Sequence, residues 1–235
     1  MPYSESNITM NSPIVDSATG VTLLAGGPVL RRDLKAALAH APCLVAADGG
    51  ADRALALGQV PDAVIGDLDS ISAVAQARLG ARVHHIAEQD STDFDKCLRN
   101  IAAPFVIALG CLGGRVDHEL AVLSVLVRRA GRPVVLIGRE DVIFLAPPRL
   151  DLAMRPGDRV SLFAMRGVTG QSDGLRWPIA GLAFAPDARG GTSNQALGPV
   201  QLRMDGPGML VIVPRGRLDV AMKGLLAANA WGSAA

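Results

Sequence analysis

Between Val21 and Ile137 the chain alternates short, nearly unbroken apolar runs with helix-length segments, and this rhythm limits what it can fold into. Val21-Thr22-Leu23-Leu24-Ala25 ends at Gly26-Gly27, and a helical stretch follows from about residue 30 to 40. Cys43-Leu44-Val45-Ala46-Ala47 ends at Asp48-Gly49-Gly50; a helix over 51–57 then closes at Gly58, suited to the residue after a helix C-cap. Ala63-Val64-Ile65, Arg82-Val83-His84-His85-Ile86, Phe105-Val106-Ile107-Ala108-Leu109 and Val134-Val135-Leu136-Ile137 continue the series, with a long helix predicted over 116–130. Apolar strands that do not alternate with polar residues are buried on both faces. The pattern therefore predicts a mainly parallel sheet covered by helices.

The rhythm stops near Pro147-Pro148. Shorter alternating runs follow, broken by glycine and proline, among them 159–163, 200–204 and 209–213; Gly206-Pro207-Gly208 between the last two reads as a hairpin turn. The expected organisation is a flexible N-terminal arm over residues 1–20, an α/β domain over 21–146, and a small all-β, antiparallel sandwich-like domain over 147–235. The apolar, alanine-rich segment 218–230 reads as a docked helix. Apolar residues are 49% and charged residues 19% of the chain, enough for a real core. A net charge of +1 and 3% aromatics give no basic surface and little base-stacking material, so no nucleic-acid partner is expected. The first twenty residues lack the pattern of a signal peptide, and no apolar stretch reaches the length of a membrane span. Cys43, Cys97 and Cys111 are widely spaced and odd in number, which points to reduced thiols and a cytoplasmic location.

The acidic residues of the first half recur where strands end. Asp48 follows the second run, and Asp67-Leu68-Asp69-Ser70 follows the third. Asp90, Asp93 and Asp95 follow the fourth. Parallel strands put their carboxyl ends on one edge of the sheet, where open α/β folds bind ligands. Carboxylates gathered there repel one another unless a cation binds, and a hard cation such as Mg²⁺ takes oxygen ligands together with phosphate. The alternative for Asp67 and Asp69 is a turn followed by a helix cap at Asp69 or Ser70. The same edge carries the glycine pairs 26–27, 49–50 and 113–114, whose N–H groups are able to approach a phosphate. Thr92 stands near a helix start, and Lys96, one of three lysines, sits about a turn further in. Arg115 precedes Asp117-His118. No Gly-Lys-Ser/Thr and no Gly-x-Gly-x-x-Gly after the first strand is present, which argues against a P-loop kinase and a dinucleotide enzyme.

Blander readings stand beside these. Asp52 and Asp95 suit solvated helix faces, and Lys96 suits a surface. Of His84 and His85, one should face inward and one outward. His118 is either a helix-start polar residue or a site residue. Cys97 suits a core. In Gly174-Leu175-Arg176-Trp177-Pro178 the tryptophan is more simply a packing anchor than a flat face for a ring. Ser193 and Asn194 cap a turn or bond a heterocycle.

The ordered series Ala47-Asp48-Gly49-Gly50-Ala51, Pro61-Asp62-x-x-Ile65-Gly66-Asp67-Leu68-Asp69-Ser70, Gln89-Asp90-Ser91-Thr92-Asp93-Phe94-Asp95-Lys96-Cys97-Leu98, Gly113-Gly114-Arg115-Val116-Asp117-His118, Gly174-Leu175-Arg176-Trp177-Pro178 and Gly191-Thr192-Ser193-Asn194 resembles the thiamine pyrophosphokinase (thiamine diphosphokinase) family. The resemblance implies a homodimer that moves pyrophosphate from ATP to the hydroxyethyl group of thiamine, releasing AMP. It implies an α/β domain for ATP and Mg²⁺, a β domain that helps hold thiamine, and an active site at the subunit interface. By it, Asp67, Asp69 and Asp93 match the catalytic metal-site carboxylates. Asp48, Gly49, Thr92, Lys96, Arg115, Asp117 and His118 would serve ATP and its phosphates. Gln89, Trp177, Ser193 and Asn194 match the thiamine-binding residues. Segment 183–189 does not match well, and the polar arm has no role in the pattern. Two rivals remain. Asp67-Leu68-Asp69 resembles the Asp-x-Asp signature of haloacid-dehalogenase-like phosphatases, though there it follows the first strand. A non-catalytic sensor on the same fold is the other.

Overall fold

A computed structural model describes residues 12–232. Its first half contains β1 (Val15–Asp16), β2 (Val21–Leu24), α1 (Arg31–His40), β3 (Cys43–Ala47), α2 (Gly50–Ala56), β4 (Ala63–Gly66) and α3 (Ala73–Leu79). Then come β5 (Val83–His85), α4 (Asp93–Asn100), β6 (Ile101–Ala102), β7 (Val106–Leu109), α5 (Val116–Arg128) and β8 (Val134–Ile137). The six strands β8-β7-β2-β3-β4-β5 lie side by side in that order and all pair in parallel. Because successive side chains of a strand face opposite ways, each strand feeds two cores. Leu24, Ile107, Leu109, Val135 and Ile137 pack on one face with Leu34, Ala37 and Ala54 of α1 and α2. Val21, Leu23, Ala108, Val134 and Leu136 pack on the other with Phe94, Cys97 and Val125 of α4 and α5. This double burial is why the strands read as unbroken apolar runs. Gly58 has φ 78° and follows the α2 C-cap, as expected from the sequence.

The predicted arm is docked at its far end. Residues 1–11 lie outside the described residues, but Val15 is buried and β1 pairs in parallel with β6. An apolar Val15 beside Ile101 completes the edge of one core.

The second half contains β9 (Asp141–Leu145), β10 (Arg149–Leu152), β11 (Arg159–Ala164), β12 (Val168–Leu175), β13 (Ala183–Phe184), β14 (Gly191–Met204), β15 (Met209–Pro214) and α6 (Leu218–Ala227). β9 runs antiparallel to β8 and pairs with β15 on its other side, so hydrogen bonding continues from the parallel strands into a large mixed sheet. The 14-residue β14 serves two neighbourhoods: residues 191–195 pair with β11, and 200–204 pair with β10 and β12. The expected hairpin at Gly206-Pro207-Gly208 does not form. Both edges of 200–204 are taken by β10 and β12, and β15 is held between β11 and β9. The helix expected near the C-terminus is α6, which docks on β10: Gly224 lets it approach so closely that a Cβ there would meet the Asp151 carbonyl oxygen at 2.5 Å.

Candidate functional site

Chain order runs outward from β2 through β3, β4 and β5 on one side, then returns to β7 and β8 on the other. At such a reversal the connections leave in opposite directions and open a crevice beyond the strand ends. A cleft of about 540 Å³ lies there, lined among others by Gly26, Asp48, Asp67, Asp93, Arg115 and His118. Gly49, Asp69, Thr92 and Glu119 also line it.

Asp48 and Asp67 follow the ends of β3 and β4 and Asp93 opens α4, yet one carboxylate oxygen of each lies within 4.8 Å of the others. Asp93 is the first residue of α4, whose N-cap Thr92 accepts the Asp95 N–H at 3.3 Å. Asp93 Oδ1 accepts the Asp67 N–H at 3.2 Å and a bond from Lys96 Nζ at 3.0 Å. Lys96 Nζ also donates to Asp67 Oδ2 at 3.0 Å, which Gln89 Nε2 reaches at 3.3 Å. Gly66 leaves room for this arrangement: a Cβ there would meet the Asp48 Cβ at 2.9 Å and Asp93 Oδ1 at 3.1 Å.

Two residues here hold left-handed backbone, Asp48 at φ 42° and Leu68 at φ 65°. Such a conformation costs a non-glycine residue on the order of 1 kcal/mol or more, so surrounding bonds must hold it. Asp48 does this with its own side chain, accepting the N–H groups of Ser70 at 2.9 Å and Ile71 at 3.1 Å. It thereby ties the end of β3 to the turn that carries Asp67 and Asp69. Burial pushes the Asp48 carboxyl above the usual range; the bond from Ser70 opposes this, and the nearby Asp69 and Asp93 carboxyls add to the rise. Burial also acts to raise Asp67, but Lys96 outweighs it and holds that carboxyl below its ordinary value. For Lys96, burial favours the neutral amine; bonds to Asp67 and Asp93 outweigh it and keep the ammonium charged.

The remaining predicted residues divide. Asp69 lies outside the three-carboxylate group; it is exposed and accepts the Ser70 hydroxyl at 2.7 Å. Lys96 was expected at phosphate, or on the surface as the plainer alternative; it is 0% exposed and does not line the cleft. Asp95 is also buried rather than solvated, in a two-point ion pair with Arg129 at 2.8 and 3.3 Å that ties α4 to α5. Asp52 accepts the Ser72 N–H at 2.8 Å, at the start of α3. Arg115 and Asp117 are exposed and pair with each other at 2.6 Å, which holds the Asp117 carboxyl at about 2. His118 is exposed at the cleft wall.

The glycine pairs are less free than their spacing suggested. The Gly27 N–H is given to the Gly110 carbonyl at 3.0 Å. Those of Gly113 and Gly114 go to Glu119 Oε1 at 2.8 and 2.9 Å. Glu119 is the residue that reading by sequence missed; its signal was a carboxylate in the first turn of α5, shortly after a glycine pair. A carboxylate there satisfies N–H groups that have no helical partner.

Trp177, Ser193 and Asn194 are not at this cleft. Trp177 is 53% exposed, so it is not the packing anchor that the simpler reading favoured, and the Arg176 guanidinium lies 5.0 Å from its ring centre. Asn194 is buried and fixes it: Oδ1 accepts the Trp177 N–H at 3.2 Å, and Nδ2 donates to the Trp177 carbonyl at 2.6 Å. Ser193 is exposed in β14 opposite Ser161, and neither it nor Asn194 caps a turn. Trp177 follows β12 and the carboxylates follow β3 and β4; eight strands separate β12 from β4 in the sheet order. At roughly 4.8 Å per strand this is on the order of 40 Å along the sheet.

Converging carboxylate oxygens with no sulfur or imidazole among them fit a hard divalent cation such as Mg²⁺. Among the described residues no helix is long and apolar enough to cross a membrane, and Cys43, Cys97 and Cys111 are free thiols.

Residues 34–136 match the family model described as thiamin pyrophosphokinase, catalytic domain. The chain is 35% identical over 136 residues to thiamine pyrophosphokinase 1 of Arabidopsis thaliana, covering 46% of this chain and 51% of that protein. It is 33% identical over 131 residues to thiamine pyrophosphokinase 1 of Oryza sativa subsp. japonica, covering 44% and 50%. The chain thus spans about half the length of the curated relatives it matches. Its fold is that of yeast thiamin pyrophosphokinase, with a TM-score of 0.72 at 17% identity over 86% of this chain and 88% of that one. The Candida albicans thiamin pyrophosphokinase structure aligns with a TM-score of 0.71 at 16% identity, covering 87% and 95%. The resemblance read from the motifs is borne out. The matched segment contains every carboxylate of the cleft and stops short of Trp177, Ser193 and Asn194.

Proposed function

We propose that this chain is a thiamine pyrophosphokinase, transferring the terminal pyrophosphoryl group of ATP to the hydroxyethyl oxygen of thiamine. The observation that carries this reading is the meeting of Asp48, Asp67 and Asp93 at the switch-point cleft. In this reading Asp67 and Asp93 hold Mg²⁺, with Asp48 beside them and Asp69 at the rim. When bound, Mg²⁺ supplies charge neutralisation to the polyphosphate. Gly49, Thr92, Arg115 and His118 form the nucleotide walls, and Arg115 turns from its partner Asp117, outside the lining, toward phosphate. A bond forms between the thiamine hydroxyl oxygen and the β-phosphorus, the bridging bond to the α-phosphate breaks, and AMP leaves. The hydroxyl proton passes to water in the open cleft, because Asp93 has Oδ1 engaged by the Asp67 N–H and Lys96 and gives its other oxygen to Mg²⁺. Little covalent work falls to the chain, so positioning and charge carry the rate.

Residues 21–146 serve ATP and Mg²⁺ in this proposal. Residues 147–235, a β-rich unit, help hold thiamine and make a homodimer. The separation of Trp177 from the carboxylates along the sheet supports a site completed by a second copy. There the exposed Trp177 ring would cover the electron-poor thiamine rings, with Gln89 and Ser193 nearby. A cytoplasmic location accords with the free thiols.

The test is direct: incubate the chain with Mg-ATP and thiamine and separate the products. AMP and thiamine diphosphate in equal amounts are expected. Release of inorganic phosphate without AMP would favour the phosphatase rival, and binding of both substrates without turnover would favour the sensor.

A further inference from the structure

Lys96 is one of the largest fully buried side chains, and its charge faces inward, toward the carboxylates. Lys96 is 0% exposed on α4, whose Phe94, Cys97 and Leu98 are buried as well, so the ammonium cannot reach water without unpacking the helix. Two of its three N–H donors are spent, one on Asp67 Oδ2 and one on Asp93 Oδ1, both at 3.0 Å. It therefore makes a poor phosphate ligand. Instead it divides the carboxylate oxygens. Asp67 Oδ2 and Asp93 Oδ1 belong to Lys96, and Asp48 gives both its oxygens to the N–H groups of Ser70 and Ile71. A cation entering from the cleft meets Asp93 Oδ2 and Asp67 Oδ1, the latter held only by a long 3.4 Å bond from the Asp69 N–H, with the Lys96 charge on their sister oxygens. Like charges that close, away from water, oppose each other strongly.

We propose that Lys96 is an internal counter-ion that holds down the site's affinity for a free divalent cation, so that the cation enters with the polyphosphate of its nucleotide. This rests on the reading of the cleft as a Mg-ATP site. Three carboxylates alone would draw a bare cation tightly. With one ammonium among them the site gains full attraction only when polyphosphate oxygens add their charge and their ligand atoms. Lys96 is on this view a positioning and tuning residue. It also keeps Asp67 and Asp93 from repelling each other, which holds the spacing that the chemistry uses.

The experiment is a titration of the full chain with Mn²⁺ alone, read by the loss of the free-ion electron paramagnetic resonance signal, for wild type, Lys96→Met and Lys96→Arg. Lys96→Met should bind Mn²⁺ at least about tenfold more tightly than wild type, because it removes a like charge from the bound cation's neighbourhood. Its melting temperature should also rise more on adding Mg²⁺. Lys96→Arg should stay near wild type in Mn²⁺ affinity. A folded Lys96→Met with unchanged or weaker Mn²⁺ affinity overturns the proposal and leaves Lys96 as a core ion pair only. Should Lys96→Met fail to fold, wild type decides: Mn²⁺ uptake should need a non-hydrolysable ATP analogue, and tight uptake of Mn²⁺ alone would overturn the idea. The product assay fails or succeeds separately, since Mn²⁺ binding needs no turnover.

Discussion

The cleft at β3, β4 and α4 and the Trp177 segment between β12 and β14 are built on opposite plans. At the cleft, side chains hold side chains: Asp67, Asp93, Lys96 and Gln89 bond one another, and Asp48 clamps the turn. At Trp177 a buried Asn194 holds only the backbone, and the ring is left in solvent. The first arrangement is finished within one chain. The second is a held but uncovered surface, which has no chemistry until something flat or apolar lies on it. The contrast teaches that charge must be organised internally, because an unpaired buried charge is costly, whereas an aromatic face needs only to be presented.

The comparison breaks first at Asp67. Asp67→Asn should lower turnover by about 10²–10³-fold with both KM values little changed, as expected when an electrostatic contact of the reaction centre is lost. Initial rates of AMP release check this, and a loss below fivefold would remove Asp67 from the centre. Next comes a residue of the same region that is structural only. Asp95→Asn breaks the pair between buried Asp95 and half-buried Arg129 and should cost about 2 kcal/mol in urea unfolding. The pair also has a pH signature. Burial acts to raise the Asp95 carboxyl, but Arg129 outweighs it and holds it low. Its stabilisation is therefore full above the ordinary carboxylate range and is lost as pH falls through the lowered value. Wild type should lose stability in acid faster than Asp95→Asn, and parallel curves would deny the pair that role.

On the Trp177 side the effects should be smaller and selective. Trp177→Ala should raise the KM for thiamine about fivefold and leave the KM for ATP within about twofold, since ring stacking contributes about 1 kcal/mol. Equal changes in both would argue against stacking. Asn194→Ser, which shortens the clamp, should raise the thiamine KM about threefold by loosening the Trp177 backbone, a loss near that of one hydrogen bond. A larger effect than that of Trp177→Ala would mean Asn194 touches substrate itself.

The parallel half was legible because double burial writes itself as continuous apolar runs. β9 was not, since Asp141 opens it just after Arg139-Glu140 and it looks like a loop's continuation. Gly206-Pro207-Gly208 was misread because a turn signal is local, while competition from β10, β12 and β11 for the flanking strands is not. At the site, strand-end carboxylates were visible by topology alone. What was hidden were their partners. Asp95 pairs with Arg129 far along the chain, and Lys96 looked like a phosphate ligand because its residue type suits phosphate and its burial cannot be read from type. Glu119 was overlooked because the glycine pair beside it already had an apparent purpose.

The most direct test of two half-sites on two chains is complementation. The Asp67→Asn protein, nearly inactive, and the Trp177→Ala protein, slowed about fivefold at low thiamine, are mixed and allowed to exchange subunits, against an unmixed baseline of about a tenth of wild type. A mixed dimer then has one site with both residues intact, so the mixture should recover roughly a quarter of wild-type turnover. No recovery, in a sample where mixed dimers are shown to have formed, would contradict the account and place Trp177 and Asp67 in unrelated roles.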